Sequence, residues 1–138
     1  MAQNIRVLIV DDELRFRENL QRLLSLRGFS VFAAEDGTKA LTLLKTETVD
    51  VCVVDMRMPG MDGTETVRCI REMPEPPACI ILTGHACVDQ AVQGYHCGAA
   101  EYLLKPCTTD ELAERIHRVY ERTREQRTGT FANGKGKA

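Results

Sequence analysis

The chain has 138 residues, 43% of them hydrophobic and 28% charged, with no tryptophan and a net charge of −2. That size fits one domain able to bury about two-thirds of the surface its unfolded chain exposes. The near-neutral balance gives no basic footprint for a nucleic acid, and the apolar stretches, four or five residues long, fall far short of a membrane span. The N-terminus enters Ile5–Val10 without the charged lead and long apolar core of a secretory signal. A cytoplasmic location is therefore expected.

Strand-like and helix-like segments alternate five times. Ile5–Val10 is a continuous β-branched and leucine run, as in a strand buried on both faces. Leu14–Arg27 follows with helical spacing at Phe16, Leu20, Leu23 and Leu24, and Gly28 suits its C-terminal cap. Phe29–Ala34 is a second strand and Thr38–Lys45 a second helix. Val51–Val54 is the third and most hydrophobic strand. Thr64–Arg71 reads as a helix, closed off by the prolines at 74, 76 and 77. Cys79–Leu82 gives a fourth strand, Val88–His96 a fourth helix and Glu101–Leu104 a fifth strand.

In the last helix, Thr108 and Glu111 have capping-box spacing, and Leu112, Ile116 and Val119 line one face. Beyond about Arg124 the apolar period vanishes. Residues 1–124 are thus read as one domain, and 125–138, with three glycines and two lysines near the end, as a flexible tail or the start of a linker. Strands alternating with helices imply a mostly parallel sheet with right-handed crossovers and helices on both faces.

Six cysteines stand at 52, 69, 79, 87, 97 and 107, with no C-x-x-C pair. Cys52 and Cys79 fall inside apolar runs, where a free thiol behaves as a small hydrophobe. His96 beside Cys97 supplies two of the four ligands a structural zinc needs. Reduced, mostly structural cysteines are expected.

Five polar residues sit just past the apolar runs: Asp11, Asp12, Asp55, Thr83 and Lys105. If the runs are parallel strands of one sheet, these residues meet at its carboxyl edge, where open α/β sheets bind ligands. Adjacent carboxylates repel, and a hard dication such as Mg²⁺ resolves the repulsion while sharing a ligand with a phosphate. Asp12 or Glu13 could instead cap the following helix, a reading that leaves Asp55, Thr83 and Lys105 unexplained. Asp55 can act as a nucleophile toward phosphorus, giving an aspartyl phosphate. Mg²⁺, the Lys105 ammonium and the Thr83 hydroxyl would offset charge on the transferring oxygens.

The stretches Val10-Asp11-Asp12-Glu13, Val54 to Gly63, Leu82-Thr83-Gly84 and Tyr102-Leu103-Leu104-Lys105-Pro106 resemble a two-component response-regulator receiver domain. The match runs from residue 5 to about 122. It implies a flavodoxin-like (βα)5 three-layer sandwich whose parallel five-stranded sheet has the order 2-1-3-4-5. The same resemblance implies that Asp55 accepts phosphate from a sensor histidine kinase or phosphotransfer protein. Asp11, Asp12, Asp55 and the Arg57 backbone carbonyl would hold Mg²⁺. Lys105, its bond to Pro106 commonly cis in the family, would pair with the acceptor and then the phosphoryl group. Thr83 and Tyr102 would form the switch. Arg57 and His85 occupy positions that tune phosphate lifetime in the family; each also reads as a solvated loop side chain.

Three other readings compete. Asp62-Gly63-Thr64 echoes the end of a phosphohydrolase motif, but position 60 is Gly where that motif needs its nucleophilic Asp. A DNA regulator would need an output domain outside these residues, so the chain itself is expected to bind neither nucleic acid nor membrane. A flavin phosphate would meet an acidic mouth. The chain is accordingly read as a non-enzymatic phosphoacceptor acting on a downstream protein or fused output domain. Receivers often pair through the segments that correspond here to Val88–His96, Glu101–Leu104 and the last helix, so the resemblance leaves a homodimer open as one assembly.

Overall fold

A computed structural model of the chain describes residues 4–137 apart from 57, 59 and 85–97. The elements run β1 (Arg6–Val10), α1 (Leu14–Leu26), β2 (Ser30–Ala34), α2 (Gly37–Leu44), β3 (Val51–Val54), α3 (Gly63–Arg71), β4 (Ala78–Thr83), β5 (Glu101–Leu104) and α4 (Thr109–Lys137). The strands form one sheet in the order β2-β1-β3-β4-β5, parallel at every pairing. This is the flavodoxin-like order that the resemblance implies. Four helices are described; the one expected over Val88–His96 lies outside the described residues.

Side chains alternate across a strand, so one apolar run feeds two cores. Val7, Ile9, Val51, Val53, Ala78, Ile80 and Leu82 pack with Leu20 and Leu24 of α1 and with Leu112, Ile116 and Val119 of α4. Leu8, Val10, Cys52, Val54, Cys79 and Ile81 pack with Ala40 and Leu44 of α2 and with Val67 and Ile70 of α3. The helices that cover the faces carry the apolar spacing the sequence predicts.

The helix ends follow the same local chemistry. Gly28 stands one residue past the Arg27 cap with φ +97°, the conformation glycine tolerates best there. Asp36 caps α2 by accepting from the Lys39 N–H, and Asp62 caps α3 by accepting from the Glu65 N–H at 2.9 Å. At α4 the Thr108 N–H donates to Glu111 Oε1 at 2.9 Å, and the Glu111 N–H donates to Thr108 Oγ1 at 3.0 Å. The capping box forms as predicted. The α4 backbone stays helical to Lys137, beyond the point near residue 125 where a tail or linker is expected. Its residues 121–127 are rich in Glu, Arg and Gln, which lose little side-chain freedom in a helix.

Leu24 is fully buried beneath α1, whereas Leu26, on the same helix, is 74% exposed. Leu24→Ala is expected to lower unfolding free energy by about 2–5 kcal/mol, and Leu26→Ala by no more than about 0.5 kcal/mol. Urea denaturation of the two variants beside the parent measures both.

Candidate functional site

The ladder extends one residue past the strands, and that extension sets the heights of the functional side chains. The Asp11 N–H donates to the Ala34 carbonyl at 3.1 Å, the Asp55 N–H to the Val10 carbonyl at 2.9 Å, and the Lys105 N–H to the Thr83 carbonyl at 2.7 Å. Asp11, Asp55 and Lys105 share parity with Ile9, Val53 and Leu103, which pack on the α1–α4 side. Thr83 shares parity with Ile81, whose register partner is Tyr102, and both pack on the α2–α3 side. Thr83 is fully buried.

The carboxylates of Asp11, Asp12 and Asp55 each offer an oxygen, and these oxygens lie within 4.8 Å of one another. Asp11 and Asp55 are buried and Asp12 is exposed, so the cluster opens to solvent on one side. Lys105 Nζ donates to Asp11 Oδ2 at 3.1 Å and stands 3.9 Å from Asp55 Oδ1. The Lys105–Pro106 bond is cis. Three hard oxygen donors at this spacing suit Mg²⁺ or a similar cation in ligand type and charge.

Helix capping does not account for the acidic pair. Glu13 occupies the cap position of α1 without a side-chain capping bond. It is Asp11 whose Oδ1 accepts from the Glu13 N–H at 2.9 Å, while the Asp11 carbonyl accepts from Arg17 Nη1 at 2.7 Å. Asp62-Gly63-Thr64, which echoes a hydrolase motif, is the start of α3: Asp62 is its cap and Gly63 its first residue.

Gly63 has a role that its position beside a loop does not announce. A Cβ built there would lie 2.3 Å from the Asp55 carbonyl oxygen and 2.7 Å from Met56 Cα. The Gly63 N–H also donates to the Met56 carbonyl at 2.9 Å. The backbone of the Asp55–Met56 turn thus rests directly on the first residue of α3, and no other residue type leaves room for it.

Arg57 and His85, expected as a carbonyl ligand and as lifetime-tuning positions, lie outside the described residues, as do Cys87, His96 and Cys97. Cys52, Cys69, Cys79 and Cys107 are free thiols. Cys52 and Cys79 are register partners in the core. The hydrogen bond with Cys79, together with burial, pushes the Cys52 thiol well above its ordinary pKa, as suits a packing residue.

Sheet order, helices on both faces and an acidic cluster at the carboxyl edge define a flavodoxin-like α/β domain with an acidic mouth. The family model of the response regulator receiver domain matches residues 7–117, and the chain belongs to that family, a family of signalling domains of two-component systems. It is 39% identical over 119 residues to the response regulator MprA of Mycolicibacterium vanbaalenii, covering 86% of this chain and 52% of that protein. The MprA of Mycobacterium tuberculosis strain H37Ra is 37% identical over 121 residues, 88% of this chain and 53% of that one. The chain thus spans about half the length of these curated relatives. Among solved structures, the receiver domain of the Francisella response regulator 1452 superposes with a TM-score of 0.80 at 32% identity, covering 87% of this chain and 99% of that one. A CheY-like receiver domain from Methanospirillum hungatei JF-1 gives 0.83 at 26% identity, over 90% and 99%. Among the described residues no helix is long and apolar enough to cross a membrane.

Gly63→Ala tests the contact under the Asp55–Met56 turn. Because the clash is with backbone, the Asp55–Met56 turn must shift, and a loss of about 1–3 kcal/mol in stability is expected. Amide chemical shifts should change most at Asp55 and Met56. A variant with parental stability and unmoved shifts there would remove Gly63 from the site.

Proposed function

We propose that the chain is a phosphorylation-dependent switch of a two-component phosphorelay that takes a phosphoryl group onto Asp55 from a histidine kinase or phosphotransfer protein. The observation that carries this reading is the convergence of three carboxylates at the sheet's carboxyl edge, two of them within 4 Å of the Lys105 ammonium. In the proposed step an Asp55 carboxylate oxygen attacks phosphorus as the bond from phosphorus to the donor breaks, and the leaving group takes that electron pair. Asp11, Asp12 and Asp55 would hold Mg²⁺, with the Arg57 carbonyl proposed as a further ligand. The cation supplies charge compensation for the transferring oxygens. Lys105 supplies the rest and stays beside the new phosphoryl group.

Phosphorylation adds negative charge and three strong acceptors. One unit charge pair at about 4 Å and an effective dielectric near 20 is worth roughly 4 kcal/mol. Turning a 1:99 equilibrium into 99:1 takes about 5.5 kcal/mol. A phosphoryl group engaging Lys105, the cation and Thr83 is therefore large enough to drive a two-state change. In our reading Thr83 moves toward the phosphoryl group and vacates space on the α2–α3 side, into which Tyr102 rotates. β5 and α4 then present a changed face to a downstream protein, a fused output domain or a second copy of the chain. Arg57 and His85 would set how long the phosphate lasts.

On this reading the protein works in the cytoplasm and turns over no substrate beyond its own phosphate. Residues 1–124 are the working domain and 125–138 a connecting segment. A fused transcription-regulating output is the second reading, favoured by the chain's covering only 52% of its M. vanbaalenii relative. DNA contact would then belong to that output.

Incubation with acetyl phosphate and Mg²⁺ should add the mass of one phosphoryl group to the parent and nothing to Asp55→Asn. Equal labelling of both would sink the assignment, and steady turnover of the donor would favour a hydrolase. Magnesium alone should stabilise the folded parent by about 2.7 kcal/mol at one hundred times its dissociation constant. In Asp12→Asn that gain should largely vanish, while the metal-free protein gains slightly from relieved repulsion. Tyr102→Ala should accept phosphate normally yet lose partner response.

A further inference from the structure

Lys105 reaches the carboxylates from a seat that the charges alone do not explain. Its Nζ lies 4.0 Å from the centroid of the Phe16 ring, on the first turns of α1. Phe16 is half-buried and packs against the α1–α4 core. Beside it is a cavity of about 320 Å³ lined by Phe16, Leu20, Leu82, Lys105 and Leu112 among others. One side of the ring thus borders open space, and a residue that only filled the rest could be any apolar one. A cation over an aromatic face is held electrostatically by the ring quadrupole.

We infer that Phe16 is a positioning residue for Lys105, holding its ammonium over the ring face at the height of Asp55. This deepens the phosphoacceptor reading and rests on it for its kinetic consequence. The nearest partner of Lys105 is Asp11 Oδ2 at 3.1 Å, while Asp55 Oδ1 is at 3.9 Å. Asp11 is also one of the three carboxylates that can hold a dication. Once Asp11 is engaged by a cation, its carboxylate is shared between two positive charges and its pull on Lys105 falls. The Phe16 ring carries no formal charge for the cation to compete for. It therefore keeps Nζ in place when the carboxylate pair weakens, which is the state in which phosphoryl transfer occurs. Leucine at position 16 would fill the same face of α1 and leave the ammonium unseated.

The test uses the full chain with specific labelling of lysine side chains. Protons on the Lys105 ε-carbon should show an upfield ring-current shift, present with and without Mg²⁺ and lost in Phe16→Leu and in Phe16→Met. With acetyl phosphate and Mg²⁺, both variants should phosphorylate about fivefold more slowly than the parent, with an unchanged Mg²⁺ titration midpoint. Fivefold corresponds to about 1 kcal/mol, the size of a partly exposed cation–π contact. Phe16→Trp, whose larger ring the neighbouring cavity can admit, should restore the parental rate. A space-filling role predicts instead that Leu and Met behave like the parent. Parental rates in both aliphatic variants, or a Mg²⁺-loaded parent without the ring-current shift, would overturn the inference. A parent that shows the shift yet takes up no phosphate would sink the phosphoacceptor reading and leave the seat intact.

Discussion

An excess of negative charge at one edge of the sheet is the constraint around which the rest is arranged. Three carboxylates cluster there, and the two buried ones face the Lys105 ammonium. At distances near 4 Å and an effective dielectric near 20, each like-charge pair costs roughly 4 kcal/mol. Lys105 offsets one charge and leaves two, the deficit a divalent cation fills. Such a cluster survives only on a scaffold that cannot relax it away. Here the scaffold is β1 and β3, adjacent central strands with apolar cores on both faces, whose ladder bonds continue into Asp11 and Asp55 themselves. The repulsion is set against the burial of the sheet and cannot be relieved by a loop swinging outward.

Strand alternation divides the work between the two faces. The acid cluster and Lys105 belong to the parity that packs under α1 and α4, whereas Thr83 and Tyr102 belong to the parity that packs under α2 and α3. The bond from the Lys105 N–H to the Thr83 carbonyl joins the two sets across the β4–β5 edge. The proposed signal needs to cross the sheet once, and it crosses where backbone hydrogen bonding has already coupled Lys105 to the proposed switch threonine. A residue-long shift of β5 would send Lys105 to the wrong face. Glu101 guards against that shift: as the first residue of β5 it pairs with Arg115 at 3.0 Å and Arg122 at 3.2 Å, both from α4.

What was legible in the sequence was whatever depends on local pattern. The apolar runs that became strands, the polar residues at their ends, the glycine past α1 and the capping box of α4 are short-range signals. Each stands within a residue of where its spacing puts it, Thr83 being the last residue of β4 rather than the first beyond it. The sheet order came from resemblance, since alternation alone allows several. The contacts that shape the site are long-range and left no such mark. Gly63 reads as an ordinary loop glycine until the Asp55 carbonyl is found where its Cβ would be. Phe16 was legible as one position in an apolar helical stripe with Leu20, Leu23 and Leu24. Its second partner is a lysine 89 positions further on, a pairing that periodicity cannot express. Asp36 and Asp62 do not stand out as caps because their helices begin on glycine, which hides the start of the apolar period.

The same reasoning separates what holds the site from what reacts in it. Asp11 accepts from the Glu13 N–H, offers its carbonyl to Arg17 and pairs with Lys105, so each of its oxygens is oriented by the start of α1 or by the lysine. Asp12, one residue on, is exposed. The buried member is therefore the fixed wall of the cluster, and the exposed member is the side from which a hydrated cation can approach. Magnesium dehydrates reluctantly and keeps several of its waters, so an open flank suits it better than a closed cage. The asymmetry between two adjacent aspartates is what makes one acidic pair both a rigid frame and an entrance.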